Sequence, residues 1–155
     1  MSLPHGTTRE VNEMQHDLPT AVTAELSMRM VVDSERTIDV PCSLEYRAEE
    51  PYAVRATFRT GVADVEWLFS RDLLLEGLQR PSGEGDVVIW PENGGDRPLI
   101  LLALSSPSGQ AVLECDRPHV ELFMRRTFQI VAVGQEGDSL DVDSWIIGIL
   151  GEGVA

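Results

Sequence analysis

Two long runs of alternating polar and apolar residues limit what this chain can fold into more than any other feature. Val22, Ala24, Leu26, Met28, Met30 and Val32 occupy every second position, with Thr23, Glu25, Ser27 and Arg29 between them. Ile38, Val40, Cys42, Leu44 and Tyr46 repeat the pattern against Thr37, Asp39, Ser43 and Glu45. Successive side chains on a strand point to opposite faces, so each run predicts a long strand with one buried and one wet face. The polar stretch 33–36 between them is short enough for a hairpin connection. Pro41 lies on the polar phase and has no N–H to give a ladder, which predicts an edge position or a bulge.

The same period continues. Val54, Ala56 and Phe58 predict a third strand, closed by Gly61. Val65, Trp67 and Phe69 predict a fourth, over residues 64–69. This strand runs straight into a helix at 71–78, where Leu74, Leu75 and Leu78 fall at helical spacing. Ser70 stands at the N-cap position, where its hydroxyl can accept a hydrogen bond from a free helix N–H. Gly77 weakens the last turn, and Pro81 prevents the helix from continuing.

A second half follows the same plan. Residues 86–90 predict a short strand closed by Pro91. The apolar run 99–104 has the length of a strand buried on both faces, and 110–115 completes a hairpin across the turn SSPSG. Asp116 is then a helix cap, with Pro118 in the first turn. Val120, Phe123, Met124, Phe128 and Val131 line one face of that helix. A last helix is expected at 138–150, with Val142, Trp145, Ile146, Ile149 and Leu150 on one stripe. The class is α+β, with antiparallel sheets in a β4-α then β3-α-α arrangement. Residues 1–19 show no periodicity and read as a flexible extension, and 20–155 as a single domain.

Composition excludes more than it assigns. The chain has 155 residues and a formal net charge of -14, from 26 acidic and 12 basic residues, and every basic residue is Arg. That balance repels phosphate backbones, so nucleic acid is not an expected partner. No apolar run reaches the roughly 18 residues of a membrane span. The N-terminus lacks the basic and apolar regions of a secretory signal, so the expected location is cytoplasmic, with any membrane association through a partner. Cys42 and Cys115 lie in strand-like stretches and read as reduced, buried thiols.

Sites for chemistry fail on spacing. His5, His16 and His119 lack a second His or Cys at the short separations of zinc sites. Asp138, Asp141 and Asp143 lack the central Gly and closing Glu of a calcium loop. Gly83 and Gly85 form an ordinary turn rather than a phosphate cradle. No Ser occupies a G-x-S-x-G elbow. Arg125 and Arg126 are the one compact basic pair outside the loops, and pairing with nearby carboxylates is expected of them. No catalytic residue, metal or cofactor is therefore expected.

Apolar side chains are more informative. Leu73, Leu74, Leu75 and Leu78 give a short helix more apolar surface than one face can bury. Val88 and Trp90 fall on the strand face opposite Val87 and Ile89. Two readings of Leu73, Leu78, Val88 and Trp90 stand: core, or a protein contact surface on an acidic chain.

The stretches LEYRAEEPYAVRATFRTG, VEWLFSRDLLLEGLQRPSGEGDVVIWP and LSSPSGQAVLE resemble the SsgA-like proteins of actinomycetes over roughly residues 20–150. The resemblance implies a whirly-like fold of curved antiparallel sheets with helices, assembled as a homotrimer. It implies a non-enzymatic role in septum-site selection during sporulation-specific cell division, at the division septum. The implied partners are FtsZ and other SsgA-like proteins. Relatives of the whirly fold bind single-stranded nucleic acid, which is the alternative function; the charge of this chain opposes it.

Overall fold

The computed structural model describes residues 20–93 and 95–136. The extension expected at 1–19, the helix expected at 138–150 and the acidic cluster at its start lie outside the described residues. Among these residues there are seven strands and two helices: β1 (Ala21–Val31), β2 (Thr37–Arg47), β3 (Ala53–Arg59), β4 (Asp64–Ser70), α1 (Arg71–Gly77), β5 (Val87–Glu92), β6 (Leu99–Ser106), β7 (Gly109–Asp116) and α2 (Arg117–Ile130). The fold is α+β.

The plural sheets expected are corrected to one: all seven strands join in a single antiparallel sheet, ordered β4-β3-β2-β1-β7-β6-β5, because β1 pairs with β7. The two halves meet where β1 pairs with β7, through Arg29 opposite Glu114 and Met30 opposite Leu113. The alternation read in the sequence sets the faces. Leu26 lies opposite Cys42 and Met28 opposite Val40, and these four side chains are buried with Leu44 and Tyr46. Val54, Ala56, Phe58 and Phe69 continue that face across β3 and β4. Ile89, Ile100, Leu102, Leu113 and Cys115 continue it across the other half. The sheet curls, so that Val65 and Trp67 of β4 face Leu104 and Ser106 of β6 across a groove of about 540 Å³.

Both helices cover this inner face. α1 packs on β4 and β5, and α2 on β1, β6 and β7. A seven-residue helix is too short to hold itself together in water. Leu74 and Leu78 are therefore decisive, each contributing about 1.5–3 kcal/mol through burial. Ser70 caps α1 as expected, accepting a hydrogen bond from the Leu73 N–H at 2.9 Å.

Three local expectations are refined by the structure. The β2–β3 ladder stops at Cys42, one residue short of Pro41, so the proline sits where β2 has a neighbour on one side alone. Strand β5 does not close at Pro91 but runs through it to Glu92, pairing Pro91 with Ile100. That is tolerated because β5 is a sheet edge, where one missing N–H faces no ladder. Asp116 stands at the N-cap of α2 but makes no side-chain cap. Its Oδ1 instead accepts a hydrogen bond from Arg29 at 3.2 Å and faces Arg97 at 3.3 Å.

Candidate protein-contact surfaces

The region around α1 is built on Arg71. Its side chain is 1% exposed, and its guanidinium reaches the C-terminal end of α2. Nη1 donates to the carbonyls of Thr127 at 3.2 Å and Val131 at 2.6 Å, and Nη2 to the carbonyl of Ala132 at 3.3 Å. These carbonyls belong to a helix terminus, where acceptors lack partners within the helix and cations are favoured. Nη2 also donates to Glu136 Oε1 at 2.7 Å. The guanidinium carbon lies over the rings of Tyr46 and Phe128, 4.8 and 4.7 Å from their centroids. Burial works to raise the Glu136 carboxyl, but the Arg71 hydrogen bond and charge together with backbone N–H groups outweigh it and hold the group below the usual glutamate range.

The other end of α1 is fixed by a glycine. A Cβ on Gly77 would stand 2.6 Å from Ile89 Cβ and closer still to its Cγ2, so only hydrogen there lets the helix lie against β5. Gly83, with φ +104, lies close to the backbone of β5 and to Leu73 Cδ1, and the loop is an ordinary turn, bridged by Ser82 and Ile89.

The four residues singled out from the sequence are not gathered into one patch. Leu78 is 6% exposed and belongs to the core. Leu73 is half-buried against that core and the Gly83 turn. Val88 and Trp90 are half-buried on the outer face of the sheet, opposite Ala103 and Leu101. Leu101 is only 8% exposed although it lies outside the main core cluster. The outer face is therefore apolar along β5 and β6. It turns polar from β1 to β4, where Glu25 accepts from Ser43 at 2.8 Å and from Arg59 at 3.0 Å.

A second surface was not anticipated as a site. α1 and α2 border a groove of about 420 Å³, with Leu75, Leu78, Met124 and Phe128 as its apolar lining and Arg117 and Arg125 beside them. The expected pairing of Arg125 and Arg126 with carboxylates is not found among the described residues, and both are exposed. Spacing could have indicated the apolar stripe of α2, but not which arginines would lack partners.

Groups suited to covalent chemistry are held inactive. Burial pushes the thiols of Cys42 and Cys115 up to about 12, so neither forms a thiolate near neutral pH. His119 is exposed in the first turn of α2. No helix of the described residues is long and apolar enough to cross a membrane.

The curled antiparallel sheet with both described helices on one face is shared with solved proteins of sporulation-specific cell division. Residues 40–136 match the model of the family SsgA, described as Streptomyces sporulation and cell division protein, and the chain belongs to it. The chain is 46% identical over 134 residues to the sporulation-specific cell division protein SsgB of Streptomyces coelicolor, covering 86% of this chain and 98% of that one. It is 39% identical over 128 residues to SsgB of Thermobifida fusca, covering 82% and 93%. Solved structures agree. One comes from work correlating mutations in SsgB with longitudinal cell division during sporulation of Streptomyces coelicolor. It superposes with a TM-score of 0.76 at 47% identity, covering 78% of this chain and 96% of that one. The SsgA-like sporulation-specific cell division protein of Thermobifida fusca gives 0.74 at 38% identity, covering 83% and 95%.

Proposed function

We propose that this chain is a non-enzymatic regulator of sporulation-specific cell division that acts in septum-site selection by recruiting FtsZ through protein contacts. The observation that carries this reading is its likeness, over nearly their whole length, to relatives named sporulation-specific cell division proteins. The site chemistry agrees with it. The thiols are buried and protonated. The apolar outer face at Val88 and Trp90 suits a protein surface better than a nucleic-acid one, given the net charge of -14.

The protein then works in the cytoplasm at the division septum, as a homotrimer of whirly-like subunits, with FtsZ and other SsgA-like proteins as partners. Leu73, Leu78, Val88 and Trp90 divide in this reading. Val88 and Trp90 touch the partner, while Leu73 and Leu78 shape the helix behind them. Septum formation in a deletion strain tests it. The wild-type gene restores sporulation septa, and Trp90→Ala does not, while the purified variant keeps its fold. Normal septation in the deletion strain would overturn the reading, and full rescue by Trp90→Ala would remove the outer face from it.

A further inference from the structure

Among the described residues, every arginine except Arg80, Arg125 and Arg126 has a carboxylate within 4.0 Å. In a chain of net charge -14, cations without a partner are unexpected, because carboxylates are in excess. Of these three, Arg125 lines the groove between α1 and α2, whereas Arg126 lines a separate one with Val22 and Ile130. Arg126 stands beside Arg125 on the exposed side of α2. Leu122, 45% exposed, lies three and four residues before the two arginines and so shares their helical face.

The groove is apolar at its base, and its charged lining is Arg117, Arg125 and Glu121, one cation in excess. Leu75 and Phe128 are half-buried, and Leu78 and Met124 are buried. Arg117 is partly satisfied by Glu121 at 3.6 Å, whereas Arg125 has no such neighbour. A volume of about 420 Å³ takes two or three side chains.

We infer that the α1–α2 groove binds a short acidic segment of a partner protein, whose apolar side chains seat on Leu75, Leu78, Met124 and Phe128 while its carboxylates meet Arg125 and Arg117. Charge complementarity selects this occupant. An anionic membrane or a nucleic acid presents an extended negative surface, which the rest of this acidic chain repels. A short segment touches only the groove, and repulsion from more distant carboxylates is screened beyond about 8 Å at physiological salt. The apolar base also has no use for a phosphate group. This inference rests on the adaptor reading and names one of its contact sites.

The test is an array of short peptides tiled through the division proteins of the source organism, probed with the full-length chain, followed by solution titration of the segments bound. Segments that combine Asp or Glu with apolar residues are expected to bind, and to weaken as salt is raised. Arg125→Glu is expected to weaken them about tenfold or more, and Arg125→Lys to retain most of the affinity. Arg125 is exposed, so circular dichroism and melting should match the wild type for both variants. Binding confined to neutral or basic segments, or no binding at all, overturns the inference. So does stronger binding to vesicles containing phosphatidylglycerol than to any peptide. Acidic segments that bind Arg125→Glu as tightly as wild type overturn the groove assignment but leave the adaptor reading intact. If no peptide binds and full-length FtsZ is not bound either, the adaptor reading fails as well.

Discussion

Arg71 and Glu136 form an ion pair of 2.7 Å between the first residue of α1 and the chain just beyond α2. The pair is 1% and 9% exposed at its two side chains, so solvent screens it little. The same guanidinium closes three backbone carbonyls at the end of α2 and lies over two aromatic rings. One side chain thus ties the first half of the chain to the end of the second. It also fixes how α1 and α2 lie beside each other, and with that the groove between them.

Replacing Arg71 by Leu removes the ion pair to Glu136 and frees the helix-terminal carbonyls. The expected loss is about 3–5 kcal/mol, read by urea unfolding. Arg71→Lys retains the charge but cannot satisfy several acceptors in a plane, and is expected to recover less than half of it. A Leu variant as stable as wild type would show that the pair is incidental.

Acid weakens this pair in a defined direction. The folded-state pKa of Glu136 lies below its unfolded value, so its contribution is complete above the unfolded value, about 4.5. It is lost as pH falls through the folded value. Unfolding free energy measured from pH 7 down to 3 is expected to drop more steeply in wild type than in Glu136→Gln. Parallel profiles would contradict the assignment.

Gly77→Ala sets helix propensity against packing. Alanine gains about 1 kcal/mol within a helix. Its Cβ would however overlap Ile89, which is fully buried and cannot move aside. The net expectation is a loss of about 1–3 kcal/mol. Ile89→Ala in the same chain should be less harmful than the two single losses added, which a double-mutant cycle measures.

The cysteines offer a simple kinetic check. With both thiols buried and pushed up to about 12, neither reacts with a thiol reagent in the native state at pH 8. Release of colour should follow unfolding, and two thiols should appear together in denaturant. Rapid native reaction of either would mean that the core around Leu26, Met28 and Ile100 opens locally.

Much of this fold was legible in the sequence, because strand period and cap chemistry are local. The runs through Val22 and Ile38 gave both long strands and their faces, and Ser70 marked the start of α1. What escaped was non-local. The seam between β1 and β7 rests on two residue pairs more than eighty positions apart, for which no local pattern exists. Pro91 ended a strand on paper because its tolerance depends on β5 being an edge, which only topology reveals. Asp116 looked like a cap, but Arg29, far off in sequence, holds its carboxylate. Arg71 gave no signal of its burial, since its acceptors lie 56 to 65 residues away. The candidate surface was legible only in part. Val88 and Trp90 do share an outer face, whereas Leu78 proved to be core and the groove between α1 and α2 was not foreseen.

The central claim is direct recruitment of FtsZ, and co-sedimentation tests it most directly. The full-length chain is mixed with FtsZ of the same organism, polymerised with GTP, and the pellet is quantified against unpolymerised controls. The account predicts saturable pelleting that depends on polymer. A chain that stays in the supernatant at every polymer concentration would contradict it.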